Sequence, residues 1–372
     1  MDLKASNYLS VLHWTRGLAA LVVVLFHTSV YFDPSASALG FAFGGYFHVG
    51  HLGVQVFFVL SGFLMTYMHF RDAGNRSELY EYFRRRLRRI YPPAWAVVLV
   101  CALAIPGARW ITQTPELFDF SIRASIVSLT LIPLERLYFP SVLWTLSHEM
   151  LFYAVFSLIF FSKRVFFIIC SLWFISIISY NIIYKMQILY WPTDVLFGQY
   201  NINFFLGILS ARLAASDRFQ SIDPTRVCYT AMIVIVASTV IEYIAIFKIS
   251  PGSGRSAGKL VSYAGYGLGT AALLWAASRL KQVKTNNRTK LLLDFFGNIS
   301  YSLYLTHWFV IAVGVRVGLL HAPALKAYPE LFMILICALC IAAGHATQKW
   351  LELPAMRLFD RWLMRPARLR QG

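Results

Sequence analysis

Ten predominantly apolar segments, separated by short polar stretches, set the strongest limit on how this chain can fold. They cover about residues 10–32, 50–70, 92–107, 121–133 together with 141–162, 165–184, 197–215, 227–248, 259–280, 292–318 and 328–350. Most approach the roughly 20 residues that an α-helix needs to cross a bilayer. Because unpaired backbone groups are costly in lipid, each span is expected to be helical. The sequence therefore predicts an all-α, polytopic transmembrane helical bundle of about ten spans with no soluble domain.

The composition and the placement of charge support a membrane location. The chain is 58% hydrophobic and only 14% charged, whereas soluble domains carry about 25% charged residues. A net charge of +17 would suggest a nucleic-acid partner in a soluble protein. Here 24 of the 34 Lys and Arg fall on one side of the predicted membrane, as the positive-inside rule requires. We therefore expect an integral membrane protein with both termini in the cytoplasm, and no nucleic-acid partner.

Arg16 and His27 lie eleven residues apart within the first span. Eleven residues at 100° each return to nearly the same helix face, so the two side chains share that face roughly 16 Å apart. Ionisable residues inside a membrane span are costly and mark candidate functional sites. We expect His27 to act as a general base and Arg16 to act nearer the cytoplasm. The alternative is that Arg16 only anchors the helix and His27 is a hydrogen-bonded interior histidine.

A carboxylate lies in the span that begins near Trp144. Residues 144–153 read Trp-Thr-Leu-Ser-His-Glu-Met-Leu-Phe-Tyr, which places Tyr153 one helical turn after Glu149. An intramembrane carboxylate needs a partner, and Arg16 or His27 could supply it. A histidine oriented by a carboxylate is a common general base near neutral pH. We therefore expect Glu149 to orient His27, with a structural Glu149–Arg16 ion pair as the alternative.

Five arginines occur within six residues just before the third span, at Arg84, Arg85, Arg86, Arg88 and Arg89. Two prolines at 92 and 93 follow and predict that a helix begins or breaks there. Because guanidinium groups bind phosphate bidentately, four of these arginines (85, 86, 88 and 89) predict a cytoplasmic site for a phosphate-rich ligand such as a coenzyme A ester. A role in topology or lipid binding alone is the alternative.

Residues 297–308 read Gly-Asn-Ile-Ser-Tyr-Ser-Leu-Tyr-Leu-Thr-His-Trp. In a helix Tyr301, Tyr304 and Trp308 form one stripe beside His307, a pattern that by itself is more typical of helix packing than of a site. The segment 53–63 is rich in small and apolar residues and indicates a tightly packed helix. The five cysteines show no metal-like spacing with histidine, so no metal site is expected.

These patterns together resemble the membrane-bound acyltransferase family 3, the integral-membrane O-acyltransferases of bacteria. The matching stretches occur in the family's order at residues 16–27, 53–63, 85–92, 144–153, 297–307 and 352–354. The 144–153 stretch is most similar to the branch that acetylates exopolysaccharides and related oligosaccharides, although His148 departs from its pattern. The resemblance implies an acyltransferase transmembrane domain over residues 1–355, followed by a basic cytoplasmic tail, 356–372, on anionic lipid.

The resemblance also implies the reaction. An acyl group, with acetyl the expected one, passes from cytoplasmic acetyl-CoA to a hydroxyl of a polysaccharide or lipid-linked oligosaccharide at or beyond the outer face. The site residues carried over are the catalytic His27, Glu149 and Arg16, the coenzyme-binding Arg85, Arg86, Arg88 and Arg89, and the substrate-binding Tyr153, Tyr301, Tyr304, His307 and Trp144. A proton-coupled exporter of a saccharide or small anion is the alternative function. No visible internal repeat supports that alternative, and the localised arginine cluster argues against it.

Overall fold

The computed structural model describes residues 3–32, 41–118, 121–133, 138–183, 192–245, 255–280 and 285–363, and in these residues it contains helices and no strand. The α-helices are α1 (Leu3–Tyr31), α2 (Leu52–His69), α3 (Glu78–Thr112), α4 (Ile122–Thr130), α5 (Trp144–Phe156), α6 (Lys163–Ile183), α7 (Thr193–Phe197), α8 (Ile202–Ala214), α9 (Pro224–Ile244), α10 (Arg255–Arg279), α11 (Asn287–His321), α12 (Pro329–Thr347) and α13 (Leu353–Leu363). The predicted all-α architecture is confirmed.

Eight helical stretches among the described residues are long and apolar enough to cross a membrane. They are Ser10–Tyr31, Ala42–Asp72, Glu78–Thr112, Ser141–Phe160, Lys163–Ile183, Pro224–Ile244, Asn287–His321 and Pro329–Trp362. The two remaining predicted spans, near 197–215 and 259–280, fall on α8 and α10. The polytopic bundle is thus confirmed, and ten is an approximate count of its spans. The short segment near 121–133 forms a separate helix, α4, because Leu131 takes a left-handed conformation that ends it.

Helix α1 packs most extensively against α11 and also contacts α2 and α12. The Trp14 indole N–H donates to Asp294 of α11 over 2.6 Å. A Cβ on Gly17 would lie 2.5 Å from the backbone nitrogen of Gly297, so only glycine allows the two backbones to touch there. Small residues commonly permit such close approach between membrane helices. This contact fixes Arg16, the neighbour of Gly17, beside the N-terminal half of α11.

Helix α3 runs unbroken through Pro92 and Pro93. The prediction of a helix start or break at these prolines is wrong. Each proline removes one backbone donor, but membrane helices tolerate this where neighbouring groups bind the freed carbonyls. The carbonyls freed by these prolines are those of Arg88 and Arg89. The Tyr301 hydroxyl donates to the next carbonyl, that of Ile90, over 2.8 Å and so ties this part of α3 to α11. As a result, the arginine cluster and the span that follows it lie on one continuous helix.

The start of the predicted basic tail packs against the protein. Its residues 356–363 belong to α13, which lies along α3, and Arg88 Nε of α3 is 2.6 Å from Asp360 Oδ1 of α13. Leu358 and Trp362 remain exposed on this helix. Residues 364–372 of the tail lie outside the described part of the chain.

The charge asymmetry leads to a topology prediction. A phosphatase that is active only outside the cytoplasm should be inactive when fused after Gly372. The same reporter inserted after Ala322, between α11 and α12, should be active because that connection lies on the opposite side. Colony assays with both fusions measure this directly. Activity of the Gly372 fusion would place the C-terminus outside and overturn the predicted orientation.

Candidate functional site

One cavity lies among α1, α2, α3, α5 and α11. The space between its walls, including the part that is open to solvent, is about 740 Å³. Its apolar wall consists of Val54, Phe57, Phe58, Leu60, Leu64, Met65, Ile90 and Leu146, and its polar wall of Arg16, Ser61, Arg86, Arg89, Thr145, Glu149, Tyr153, Ser300, Tyr301 and Tyr304. Three guanidinium groups face a single carboxylate across this space. The cavity therefore suits an anionic ligand that also carries an apolar or extended portion.

Two of the four predicted phosphate-binding arginines line the cavity. Arg86 and Arg89 are three residues apart on α3 and therefore share one face. Arg86 is only 7% exposed, and its guanidinium lies 5.8 Å from the centre of the Tyr153 ring. Its buried Nε has no hydrogen-bond partner among the described residues. A buried donor without an acceptor is costly. The Arg86 Nε–H is therefore suited to donate a hydrogen bond to an oxygen atom of a ligand.

The other two arginines point away from the cavity. Arg85 Nε is 2.7 Å from Glu81 Oε1, and Arg88 pairs with Asp360 of α13. Of the four arginines expected to bind phosphate, Arg86 and Arg89 line this cavity and Arg85 and Arg88 do not. Successive residues on a helix are rotated by 100°, so a run of arginines must divide between faces. In this chain the outward pair meets protein carboxylates.

Glu149 belongs to the cavity and not to His27. Its carboxylate accepts a hydrogen bond from the Ser61 hydroxyl over 3.0 Å and another from the Tyr153 hydroxyl. Arg16 interacts electrostatically with this carboxylate. The expected orientation of His27 by Glu149 is not the arrangement in this structure, because Glu149 lines the cavity with Arg16 and His27 does not line it. Eleven residues of helix, roughly 16 Å, separate Arg16 from His27.

His27 instead contacts another histidine. Its Nδ1 lies 3.0 Å from Nε2 of His307 on α11, and the two ring centres are 5.0 Å apart. His307 is fully buried, and its Nδ1 lies 3.1 Å from the carbonyl of Leu303. Both ring nitrogens of His307 are thus engaged by the protein. This arrangement does not fit the substrate-binding role expected for His307.

The three predicted tyrosines line the cavity, whereas Trp144 does not. The Trp144 ring packs 5.0 Å from that of Tyr200 and 5.4 Å from that of His148. His148 is buried, and its Nδ1 lies 2.9 Å from the side-chain oxygen of Asn201. Trp144 and His148 therefore support the packing of α5 against the start of α8. The expected substrate contact of Trp144 does not fit this position.

A thin aromatic layer separates the cavity from the histidine pair. The rings of Phe57 and Tyr304, both in the cavity wall, meet edge to face with centres 5.7 Å apart. The Tyr304 ring is also 5.7 Å from the His307 ring, and its hydroxyl lies 2.8 Å from that of Thr145. Tyr304 therefore contacts both the cavity and the pair of histidines.

Some site residues had only a weak sequence signal. Ser61 lies in the small-residue segment that indicated packing alone, yet it holds the Glu149 carboxylate. Glu352 accepts a hydrogen bond from Ser302 and interacts electrostatically with Arg89 and Arg16. A polar residue inside an otherwise apolar span was the available signal for Ser61. Among the residues that the structure describes, no group of three His, Cys, Asp or Glu side chains could hold a metal ion.

Comparison with known proteins agrees with this architecture. The sequence model of the family described as "Acyltransferase domain" matches residues 9–346. The exopolysaccharide production protein ExoZ of Rhizobium meliloti strain 1021 is 28% identical over 342 residues, which cover 84% of this chain and 92% of ExoZ. No solved structure matches the chain. The family match spans the cavity, both histidines and nearly every helix described above, and the chain thus belongs to acyltransferase family 3.

Proposed function

We propose that this protein transfers an acyl group from cytoplasmic acyl-CoA to a hydroxyl group of a saccharide at the outer side of the bacterial inner membrane. Family membership supports acyl transfer. The observation that carries the proposal is the cavity, which is lined by three guanidinium groups. Its wall at Tyr304 contacts His307, which in turn contacts His27. A donor with phosphates at one end and a thioester at the other fits this arrangement.

The donor enters from the cytoplasmic side. Its phosphates bind Arg86 and Arg89, whose guanidinium forks match phosphate oxygens. Its arm follows the apolar wall formed by Phe57 and Phe58 toward Tyr304. Acetyl-CoA is the donor we propose, because the stretch 144–153 is most similar to the acetylating branch of the family. Arg16 stands between the phosphate end and the thioester end of this path.

His27 supplies the base. It is partly exposed, so an acceptor hydroxyl can reach it. As the hydroxyl oxygen attacks the thioester carbonyl carbon, His27 takes the hydroxyl proton, a C–O bond forms and the C–S bond breaks. The imidazolium then returns the proton to the departing thiolate, which leaves an ester and free coenzyme A. A positioned base contributes about 10²–10⁴-fold to such a step.

The acceptor class follows from the relative and from the placement of the base. ExoZ is named for exopolysaccharide production, and His27 lies toward the outer end of α1, eleven residues beyond Arg16. We therefore propose an exopolysaccharide, or a lipid-linked oligosaccharide precursor of one, as the acceptor.

Labelled acetyl-CoA tests the proposal. Inside-out membrane vesicles with and without the protein are supplied with acetyl-CoA that carries ¹⁴C in the acetyl group. We expect base-labile label in the saccharide fraction only when the protein is present. A proton-coupled exporter would move a saccharide without changing it, so transport without label would contradict the proposal and favour the exporter.

Glu149 and Arg16 should behave as a coupled pair in this cavity. Glu149→Gln removes the carboxylate that lines the cavity together with three guanidinium groups, so we expect lower thermal stability in detergent as well as lower activity. Arg16→Gln should lower the stability less in the Glu149→Gln background than in the native protein. We expect a coupling free energy of about 0.5–3 kcal/mol between the two sites. Melting temperatures of the native protein, both single variants and the double variant measure it. Strictly additive effects would contradict the pairing.

A further inference from the structure

The hydrogen bonds of the two histidines fix where their protons lie. A backbone carbonyl can only accept, so the His307 nitrogen that faces Leu303 O, its Nδ1, carries a proton. A neutral imidazole has one N–H, and His307 Nε2 is therefore an acceptor. The His27 Nδ1 that lies 3.0 Å from it must then be the donor. Neutral His27 consequently carries its proton on Nδ1 and has a lone pair on Nε2.

We propose that His307 is a positioning residue that holds His27 in this one tautomer and orientation, so that Nε2 is the nitrogen that receives the proton of the acceptor hydroxyl. The inference rests on the proposed function, in which His27 is the base. His307 itself does not touch substrate, because both of its ring nitrogens are engaged inside the bundle. It performs the orienting task that the sequence assigned to Glu149.

The surroundings of His307 suit this role. Its side chain is fully buried, with Leu303 and Ile311 of its own helix and Cys340 of α12 in the same apolar layer. When His27 gains a proton, its Nδ1–H remains bound to the His307 lone pair, and a hydrogen bond from a cation is stronger than a neutral one. An ionised carboxylate in this layer would be a costly buried charge. A neutral imidazole orients the base without that cost.

Two substitutions at position 307 separate positioning from packing. His307→Leu fills the layer but offers no acceptor, whereas His307→Gln provides an amide oxygen at similar reach and carries no titratable proton. We expect His307→Leu to lower kcat about 10- to 100-fold, part of what a general base contributes, with KM for acetyl-CoA unchanged. His307→Gln should restore kcat to within about threefold of the native protein. Thr306→Val, an isosteric change at the next position of α11, is the matched control and should retain native kcat and KM.

We measure kcat and KM on protein that is reconstituted in liposomes, and we normalise the rates to the amount of folded protein. In a second measurement, ¹⁵N NMR spectra of histidine-labelled protein report the His27 tautomer. Native protein and His307→Gln should show the Nδ1–H form, and His307→Leu a mixture. Equal kcat for native protein and His307→Leu, or a Gln variant as impaired as Leu, would overturn the positioning role. If His27→Ala itself remains active, the base assignment fails instead, so the two failures are distinguishable.

Discussion

His27→Ala is expected to reduce acyl transfer by about 10²–10⁴-fold, the contribution of a general base, while the protein still inserts into the membrane. Insertion should survive because α1 is held by packing remote from His27, including the Gly17–Gly297 contact and the Trp14–Asp294 hydrogen bond. The measurement is transfer of ¹⁴C-acetyl from acetyl-CoA to the saccharide fraction, divided by the amount of inserted protein.

His13→Ala is the matched control, because it removes a histidine from the same helix that does not line the cavity. Its transfer rate should stay close to native. A well-inserted His27→Ala protein that acetylates at a near-native rate would end this mechanism. The remaining buried histidines would not easily replace His27, since His148 is bonded to Asn201 and His307 to Leu303 and His27.

Neutralising the two inward arginines should raise KM for acetyl-CoA far more than neutralising the two outward ones. Arg86→Gln with Arg89→Gln removes the guanidinium groups of α3 that line the cavity. Each hydrogen bond to a charged group is worth about 1.5–3 kcal/mol, so we expect KM to rise at least about tenfold. Initial rates measured over a range of acetyl-CoA concentrations give KM and kcat separately.

Arg85→Gln with Arg88→Gln is the control, since it removes the same charge from the same helix and same side of the membrane. These arginines are paired with Glu81 and Asp360, so KM should stay near native. Equal increases in KM for the two double variants would mean that the cluster attracts the donor only through its total charge. No change in either would reduce the cluster to a topology signal.

The sequence alone determined much of the architecture and part of the site. The lengths of the apolar segments predicted the helices, since a bilayer accepts few other structures. The spacing of Arg16 and His27 placed both on one face of α1, because helical periodicity is fixed by the backbone. The order of the motifs indicated the family that the comparison confirmed. In each case the information is local to one helix or to a linear pattern.

Only the tertiary structure decided which side chains meet. His27 and His307 are 280 residues apart, and Glu149 finds Ser61 on α2 instead of the histidine on α1. Helical spacing places Arg89 close to both Arg85 and Arg86 around α3, so it does not say which of these arginines face the cavity. The sequence does not reveal these contacts because a span that is apolar on nearly every side carries only a weak amphipathic signal. Their rotation about their own axes is set by close packing against neighbouring helices, as at Gly17 and Gly297.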